Sequence, residues 1–457
     1  MDFKFNDSKE NLVKFVFKEK GDNPYFDGSL GKVFPLVSDD MIYLGLGDKD
    51  EFCIDKYRKA IYELGRFLRE LEIEELSFEK GILEVSDEEF LVNTVEALKV
   101  SFYNFDHYKK DKKDPSLKTV NFSSDLSSFE DNANEILNVI DGQFLARDLV
   151  NLRSNDIYPE TLANRAKEEL SPLGVDVKIY EKDEIERMGL TAFLEVGKGS
   201  DKLPRLIVME YLHGDKDVAP KVFVGKGLTY DSGGYSIKPS DGMKTMNSDM
   251  AGSATVIGAM KAIASNNLKV NVVAIVAACE NAINGSAYKP GDVIKARNGM
   301  TIEVDNTDAE GRITLADAVN YGATEYKPEM IVDLATLTGA VLVALGETYT
   351  GAVTNNEDAF SKVKAAADKS YEKIWQLPND DFIKTYNDSE IADIKNSGGR
   401  LGGSISAGQF VGAFVEDYPW VHLDIAGTAY ISKPQGLNEA GATGVHVKTL
   451  YNLAKGE

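Results

Sequence analysis

The hydrophobic and polar positions in the first part of the chain follow two different periods. The segments FKFNDS and LVKFVFKEK alternate at every second residue, and MIYLGLG is a short apolar run; both patterns are typical of β-strands. Between Asp55 and Leu71 the apolar side chains recur at helical spacing, and a second helix is predicted over about Asp87 to Phe105. Because strands and helices alternate, residues 1–129 are predicted to form a small N-terminal α/β domain.

A polar stretch separates this region from the rest of the chain. Residues 109–128 are rich in lysine, aspartate and serine, which is typical of a linker. A helix is predicted directly after it, over residues 130–150, and we interpret this segment as a linker helix between two domains.

The pattern of residues 151–457 predicts one larger C-terminal α/β domain. Its strand-like segments are VDVKIY, RLIVMEYL, KVFVGKG, VNVVAIVAACE, MIVDLATLTG and VHLDIAG, and its helical segments include AGSATVIGAMKAIAS and LADAVNYGATEY. Continuous apolar strands that alternate with helices predict a mostly parallel central sheet covered by helices on both faces. Since ligands of such sheets bind outside the carboxyl ends of the strands, we expect the chemistry in the glycine-rich segments that follow them.

Composition and charge argue against nucleic-acid-binding, membrane-spanning and disulfide-rich classes of protein. The 457 residues suffice for two or three domains of about 150 residues each. The net charge of −23 argues against nucleic acid or an anionic membrane as the main partner, because both are polyanions. Two cysteines cannot form a disulfide framework, the opening residues are polar, and no apolar run approaches the roughly 18 residues of a membrane span. We therefore expect a cytoplasmic protein.

Two segments concentrate charged residues between glycines. The first, VGKGLTYDSGGYSIKPSDGMKTMNSDMAGSATV, follows a predicted strand and contains Lys226, Asp231, Lys238 and Asp249. The second, DNTDAEGRITLADA, contains Asp308, Glu310 and Arg312. These three residues alternate, so an extended segment would point them all to one side, beside a helix that is predicted to begin near Thr314.

Four carboxylates in one cleft would repel one another unless cations join them. Two divalent ions would balance their charge, and carboxylate oxygens suit Mg²⁺, Mn²⁺ and Zn²⁺. Such a pair of ions can activate a water molecule and polarise a carbonyl. A neutral lysine amine could be a further ligand, and a second, cationic lysine could stabilise an oxyanion. Alternatively, the same residues are solvated surface charges, because each residue type is common at protein surfaces.

Two other residues could be mistaken for catalytic groups. His422 lies in the apolar segment WVHLDIA, and we expect a hydrogen-bonded core histidine. Cys279 follows an apolar strand and is expected to be an inert core thiol.

Several motifs together resemble a known family. The segments KGLTYDSGGYSIKP, NSDMAGSATV and NTDAEGRITLADA are similar to those of the leucyl aminopeptidases, the dinuclear-metal cytosol aminopeptidases. The segments ARDLVNLRSNDIYPETLA, VDLATLTGA, IADIKNSGG and PWVHLDIAGTAY extend the resemblance over most of the chain.

The resemblance implies a role for each charged residue. It implies two divalent metal ions per subunit, Mn²⁺ or Zn²⁺ in first place and Mg²⁺ or Co²⁺ as alternatives, held by Lys226, Asp231, Asp249, Asp308 and Glu310. Lys238 and Arg312 match the catalytic residues: Lys238 would polarise the scissile carbonyl, and Arg312 would hold a bicarbonate that acts as general base. The positions that match the substrate-binding residues are Met246, Asn306, Thr336, Leu337 and Gly339.

The implied reaction is the release of N-terminal residues from peptide substrates, with leucine and other apolar residues favoured. A metal-bridging hydroxide would attack the scissile carbonyl, while the free α-amine of the peptide would coordinate one metal. The resemblance also implies a homohexamer built as a dimer of trimers. Two alternatives remain open: a non-catalytic binding or regulatory protein on the same fold, and a dipeptidase of narrow specificity.

Overall fold

The computed structural model describes residues 1–18, 26–112 and 114–456. The end of the segment LVKFVFKEK and Lys113 of the predicted linker therefore lie outside the described residues. The chain divides into two units: residues 1–140 with 433–440, and residues 141–432 with 441–457.

The first unit is built on a six-stranded sheet. Its strands are β1 (Asp2–Phe5), β2 (Leu12–Val16), β3 (Val33–Leu36), β4 (Met41–Gly45), β5 (Glu75–Phe78) and β6 (Thr119–Phe122), in the spatial order β1-β6-β5-β2-β4-β3. Only the β3–β4 pair is antiparallel among these described strands. The helices are α1 (Ile54–Leu68), α2 (Asp87–Ser101) and α3 (Glu130–Asn151), the last of which begins in this unit and ends in the second.

The prediction of a linker over residues 109–128 was wrong in its second half. Strand β6 lies there, pairs with β1 on one side and β5 on the other, and is buried along its whole length. The sequence TVNF does not indicate a buried strand, because two of its four residues are polar. The amide of Asn121 is satisfied inside the sheet by Asn6 and Glu75.

A segment from near the C-terminus completes the first unit. In residues 433–440, Leu437 packs against the apolar core of this unit, and Glu439 forms an ion pair with Arg66 at 3.0 Å between Oε1 and Nε. The first unit is therefore discontinuous in sequence.

The second unit contains an eight-stranded sheet and two small ones. Its strands are β7 (Asp176–Tyr180), β8 (Arg205–Leu212), β9 (Lys221–Asp231), β10 (Asn271–Asn281), β11 (Val293–Lys295), β12 (Thr301–Glu303), β13 (Met330–Ala335), β14 (Thr350–Thr354), β15 (Ile374–Gln376), β16 (Ile394–Lys395), β17 (Trp420–Asp424), β18 (Tyr430–Ile431) and β19 (Gly441–Ala442). Its helices are α4 (Pro159–Leu170), α5 (Lys182–Arg187), α6 (Thr191–Gly197), α7 (Ser240–Met243), α8 (Ala251–Ser265), α9 (Glu310–Tyr326), α10 (Gly339–Leu345), α11 (Glu357–Lys369), α12 (Asp381–Lys384), α13 (Gly403–Gly412) and α14 (Val447–Lys455).

The centre of the large sheet is parallel. The order is β15-β14-β17-β13-β9-β10-β8-β7, and the four strands β17, β13, β9 and β10 run in one direction. In the register of these strands, Asp231 lies opposite Asn281, and Ala335 lies opposite Asp424. The carboxyl ends of four strands therefore meet at one edge of the sheet.

Helices cover both faces of this sheet. Val222 and Val224 of β9 share an apolar core with side chains of α9, whereas Gly225 faces the backbone of α8. Since neighbouring residues of a strand point to opposite faces, α8 and α9 lie on opposite sides. Gly252 permits the close approach of α8, because a Cβ at this position would clash with the carbonyl oxygen of Leu334. The prediction of a mixed α/β chain with a mostly parallel sheet in its larger part is confirmed.

Among the helices of the described residues, none is both long enough and apolar enough to cross a membrane.

Candidate active site

The two charged segments come together at the carboxyl edge of the large sheet. Lys226 lies within β9 and Asp231 ends it, while Asp249 lies in the 3₁₀ turn Met246–Met250 that leads into α8. Asp308 lies in the loop before α9, and Glu310 is the first residue of that helix. Residues separated by up to 84 positions thus supply one cluster of side chains.

The prediction that Asp308, Glu310 and Arg312 lie in an extended segment was wrong. Helix α9 begins at Glu310, before the expected start near Thr314, so that Glu310 and Arg312 occupy its first turn. A carboxylate in the first turn is favoured by the partial positive charge at a helix N-terminus. The three side chains are therefore brought together by a loop and a helical turn, not by the alternation of a strand.

Lys226 is the most buried cation of the cluster. Its Nζ lies 2.7 Å from Oδ2 of Asp249 and 3.1 Å from Oε1 of Glu310, and it donates a hydrogen bond to the carbonyl oxygen of Thr336 at 3.0 Å. Burial alone would lower the pKa of Lys226, but the carboxylates of Asp249, Glu310 and Asp231 outweigh burial and raise it.

Lys238 pairs with the other half of the cluster. Its Nζ lies 2.8 Å from Oδ2 of Asp231 and 2.5 Å from Oδ1 of Asp308. One carboxylate oxygen from each of Asp231, Asp308 and Glu310 lies within 4.8 Å of the others. These three residues could hold a metal ion.

Two carboxylates of the cluster, those of Asp231 and Asp249, have raised pKa values. Burial, together with the nearby carboxylates of Glu310 and Asp249, raises the pKa of Asp231. Burial also raises the pKa of Asp249, although Lys226 opposes this effect. Divalent cations would relieve both costs, and oxygen donors with one amine nitrogen suit the ions that carboxylate sites prefer. The donor set of these residues therefore fits a metal centre.

Arg312 lies beside this cluster, but its Nε, unlike the Nζ atoms of the two lysines, forms no bond to a carboxylate among the described residues. Its side chain is more than nine-tenths buried, and its Nε has no hydrogen-bond partner among the described residues. Burial lowers the pKa of Arg312 to about 10, although Glu310 and Asp424 oppose the decrease. A guanidinium group that lines a cleft and keeps an unpaired N–H could bind a small anion.

A cleft of about 1050 Å³ opens onto these groups. Lys238 and Arg312 line this cleft. All five residues predicted to bind substrate also line it: Met246, Asn306, Thr336, Leu337 and Gly339. Asn306 accepts a hydrogen bond from the N–H of Asp308 at 2.8 Å, and the Thr336 hydroxyl donates to Oδ1 of Asp249 at 2.8 Å.

Comparison with known proteins assigns the chain to a family. A family model described as "Cytosol aminopeptidase family, catalytic domain" matches residues 144–451. The model of the N-terminal domain of the same family matches residues 29–112. The chain belongs to the cytosol aminopeptidase family. The resemblance proposed from the sequence motifs is thereby confirmed, and the family makes the chain an aminopeptidase.

Relatives and solved structures match this family member over nearly its full length. A probable cytosol aminopeptidase of Clostridium tetani is 48% identical over 439 residues, which cover 94% of this chain and 91% of that protein. A probable cytosol aminopeptidase of Treponema denticola is 43% identical, with 99% and 100% covered. The solved structure of the bottromycin maturation enzyme BotP superposes with a TM-score of 0.88 at 29% identity, covering 97% of this chain and 98% of the other. A second BotP structure, in complex with Mn, matches equally well, with a TM-score of 0.88 at 29% identity over 98% and 99% of the two chains.

Two amides that support the cluster of this aminopeptidase were missed in the sequence. Nδ2 of Asn281, at the end of β10, donates to Oδ1 of Asp231 at 2.8 Å and to the carbonyl oxygen of Thr307 at 2.9 Å. Asn396 is fully buried and forms hydrogen bonds to the backbone at Asp305, Asn306 and Ala309. Both residues stand at the carboxyl end of a strand, and Asn396 also lies in the segment IADIKNSGG, so these two signals could have indicated them.

The two residues set aside as non-catalytic lie in the core. His422 is fully buried, and its Nδ1 lies 2.6 Å from Oδ1 of Asp333, as expected for a hydrogen-bonded core histidine. Cys279 is a buried free thiol whose pKa is raised by burial. Neither residue lines the cleft.

Replacing Gly311 by alanine is expected to lower kcat/KM by about 10-fold to 100-fold, because the new methyl group would displace Lys226, and even a small displacement of an active-site group is costly. Gly311 lies in the first turn of α9, and a Cβ there would lie 2.6 Å from Nζ of Lys226. Gly285→Ala is the matched control, since a Cβ at Gly285 meets nothing within 4 Å. Peptide hydrolysis by both variants should be compared at matched metal content. Equal activities would contradict the tight packing of Lys226 against α9.

Proposed function

We propose that this chain is a metal-dependent aminopeptidase that releases N-terminal amino acids, leucine and other apolar residues preferentially, from peptides. The observation that carries the proposal is the convergence of two lysines, four carboxylates and the buried Arg312 at one cleft. Nε of Arg312 has no hydrogen-bond partner among the described residues, and its side chain lines the same cleft as Lys238.

The proposed metal ligands are Lys226, Asp231, Asp249, Asp308 and Glu310. Two divalent ions bound there would supply a Lewis acid for the scissile carbonyl and lower the pKa of a water molecule toward neutrality. We propose Mn²⁺ or Zn²⁺ as the bound ions, with Mg²⁺ and Co²⁺ as alternatives. The structural similarity to BotP, which has a structure in complex with Mn, supports Mn²⁺.

Lys238 is proposed to stabilise the oxyanion that forms when the scissile carbonyl is attacked. Burial would lower the pKa of Lys238, but Asp231, Glu310 and Asp249 outweigh burial and raise it. These carboxylates therefore favour the cationic form of the side chain. A preorganised cation at a developing negative charge is among the largest contributions that a single residue makes to catalysis.

Arg312 is proposed to hold a bicarbonate ion, whose chemistry is that of a general base. The buried Nε without a partner supports an anion at this place. Bound there, the anion would lie in the same cleft as Lys238 and the residues proposed to bind substrate. Arg312 would fix its position through bidentate hydrogen bonds, for which the planar guanidinium is suited.

The remaining parts of the proposal concern substrate and assembly. Met246, Asn306, Thr336, Leu337 and Gly339 are proposed to bind the first residue of the peptide, with the side chain of Met246 providing an apolar contact. We also propose a cytoplasmic homohexamer, a dimer of trimers, in keeping with the family resemblance.

Removal of the metals and their return tests the proposal. The chelated protein should hydrolyse Leu-p-nitroanilide at a background rate, and Mn²⁺, Zn²⁺, Co²⁺ or Mg²⁺, added singly, should restore activity. N-acetyl-Leu-p-nitroanilide should stay uncleaved, because acetylation removes the free amine. Efficient cleavage of the acetylated substrate would contradict exopeptidase action. Folded protein that stays inactive with every ion and with a series of dipeptides would favour a binding protein on this fold.

A further inference from the structure

Asp424 is a buried carboxylate that the proposed chemistry does not use. It is the last residue of β17, and only 1% of its surface is exposed. Its Oδ1 accepts hydrogen bonds from the N–H groups of Leu337 at 3.2 Å, Thr338 at 3.4 Å and Ala426 at 3.2 Å. Its Oδ2 accepts a hydrogen bond from the hydroxyl of Thr338 at 2.6 Å. Three of these four bonds go to the segment that follows β13.

This segment, residues 336–339, lies between Asp424 and the charged cluster. The peptide unit that joins Thr336 to Leu337 presents its carbonyl oxygen to Nζ of Lys226 at 3.0 Å and its N–H to Asp424. A trans peptide unit is planar and stiff, with the carbonyl oxygen and the amide hydrogen on opposite sides. An N–H donor at the carbonyl oxygen and a carboxylate acceptor at the amide hydrogen both match its dipole. The peptide unit is thus held at both ends, and its position fixes one hydrogen-bond partner of Lys226.

Asp424 also holds the next residues of the segment. The hydroxyl of Thr338, which donates to Asp424, accepts a hydrogen bond from the N–H of Val341 at 3.1 Å and so caps α10. Helix α10 begins at Gly339, and residues 336–339 all line the cleft. The carboxylate therefore supports, from behind, the wall against which a substrate would lie.

Asp333 provides a natural comparison. It lies on the neighbouring strand β13 and is fully buried, like Asp424. Its carboxylate pairs with Nε1 of Trp420 and Nδ1 of His422, both at 2.6 Å. Neither of these partners lines the cleft. The two aspartates are almost equally buried and chemically identical. They differ in their hydrogen-bond partners, which line the cleft only for Asp424.

We propose that Asp424 is a positioning residue of the aminopeptidase reaction, which sets residues 336–339 for substrate and, through the Thr336–Leu337 peptide unit, orients Lys226. This inference rests on the proposed function for its kinetic consequence. Its structural part, the support of residues 336–339 by the carboxylate, stands without it.

The test compares Asp424→Asn with Asp333→Asn in the full chain loaded with Mn²⁺. Both variants keep side-chain shape and lose a buried charge, so both are expected to lower thermal stability. Only Asp424→Asn is expected to raise KM for Leu-p-nitroanilide, by about 10-fold or more, because the substrate-facing wall of the cleft is displaced. The effect on kcat should be smaller, because Lys226 keeps its contacts with Asp249 and Glu310. Asp333→Asn should keep KM within about twofold, as expected for a residue without contact to the cleft.

Hydrogen exchange supplies a readout that does not need activity. Backbone amides of residues 336–339 should exchange faster in Asp424→Asn than in the wild type, and at the wild-type rate in Asp333→Asn. If Asp424→Asn does not fold, Thr338→Val removes the hydroxyl that donates to Oδ2 of Asp424 and that also accepts a hydrogen bond from Val341. Its effect is then read at the amide of Leu337, which donates to Asp424 and lies outside α10, and this amide should exchange faster than in the wild type.

The outcomes separate the two proposals. Wild-type KM with unchanged exchange in Asp424→Asn would overturn the positioning role, while the proposed function stands. A wild-type protein that cleaves no peptide substrate would contradict the proposed function. In that case the exchange rates would still test whether Asp424 supports residues 336–339. Equal exchange in the two variants would overturn that support.

Discussion

Glu310→Gln is expected to reduce metal-dependent hydrolysis of Leu-p-nitroanilide by about 10³-fold or more, because loss of a metal ligand removes several kcal/mol of transition-state stabilisation. Glu310 is almost fully buried, and its carboxylate lies near Lys226, Asp231 and Asp308. The glutamine keeps the shape of the side chain and removes one negative charge. Metal content per chain should fall with activity, as elemental analysis of dialysed protein would measure.

Glu280→Gln is the matched control for this substitution. Glu280 lies in β10 of the same unit, and its carboxylate accepts a hydrogen bond from Ser200 at 2.6 Å. It does not line the cleft, so its loss should leave metal content and turnover close to the wild type. Full metal content and near wild-type turnover in Glu310→Gln would show that the ligand assignment is wrong.

Lys238→Ala is expected to lower kcat by about 10²-fold to 10³-fold while metal content stays at the wild-type level, since oxyanion stabilisation by one donor has that magnitude. The ammonium group competes with a metal ion for the oxygens of Asp231 and Asp308, so its removal should not weaken metal binding. Two quantities should be measured on the same sample: the turnover rate at saturating substrate concentration, and the metal content per chain.

The control for Lys238 lies six residues further along the chain. Lys244 is 72% exposed and forms an ion pair with Asp241 at 2.8 Å, and Lys244→Ala should retain wild-type kcat. Parallel losses of metal and activity in Lys238→Ala would assign this lysine a structural role instead of a catalytic one.

The parts of the fold that sequence could predict are those with a strong periodic pattern. The central strands β9, β10, β13 and β17 are nearly continuous apolar runs because both of their faces are covered. Strand β6 has no such run, and its burial follows from pairing with β1 and β5, which are distant in sequence. The start of α9 at Glu310 was also missed, because no capping side chain precedes that helix.

The charged residues of the site were recognisable because they stand in two glycine-rich segments of unusual density. Two of their supporting residues lie in the segments IADIKNSGG and PWVHLDIAGTAY, whose sequences do not indicate what these side chains contact. Asn396 lies about 90 positions from the loop that it holds, and Asp424 about 87 from Leu337. A single amide or carboxylate after a strand is common, and only the register of the sheet and the path of the loops reveal what it contacts.

The discontinuous first unit has a consequence for synthesis on the ribosome. Residues 433–440 join residues 1–140 only after the 292 residues from 141 to 432 have been translated. At about 5–20 residues per second, that interval lasts roughly 15–60 s. During this time Leu437 does not yet pack against the core of the N-terminal unit, and the ion pair between Glu439 and Arg66 cannot form. A chain truncated at residue 432 would lose part of its N-terminal unit as well as its C-terminal helix.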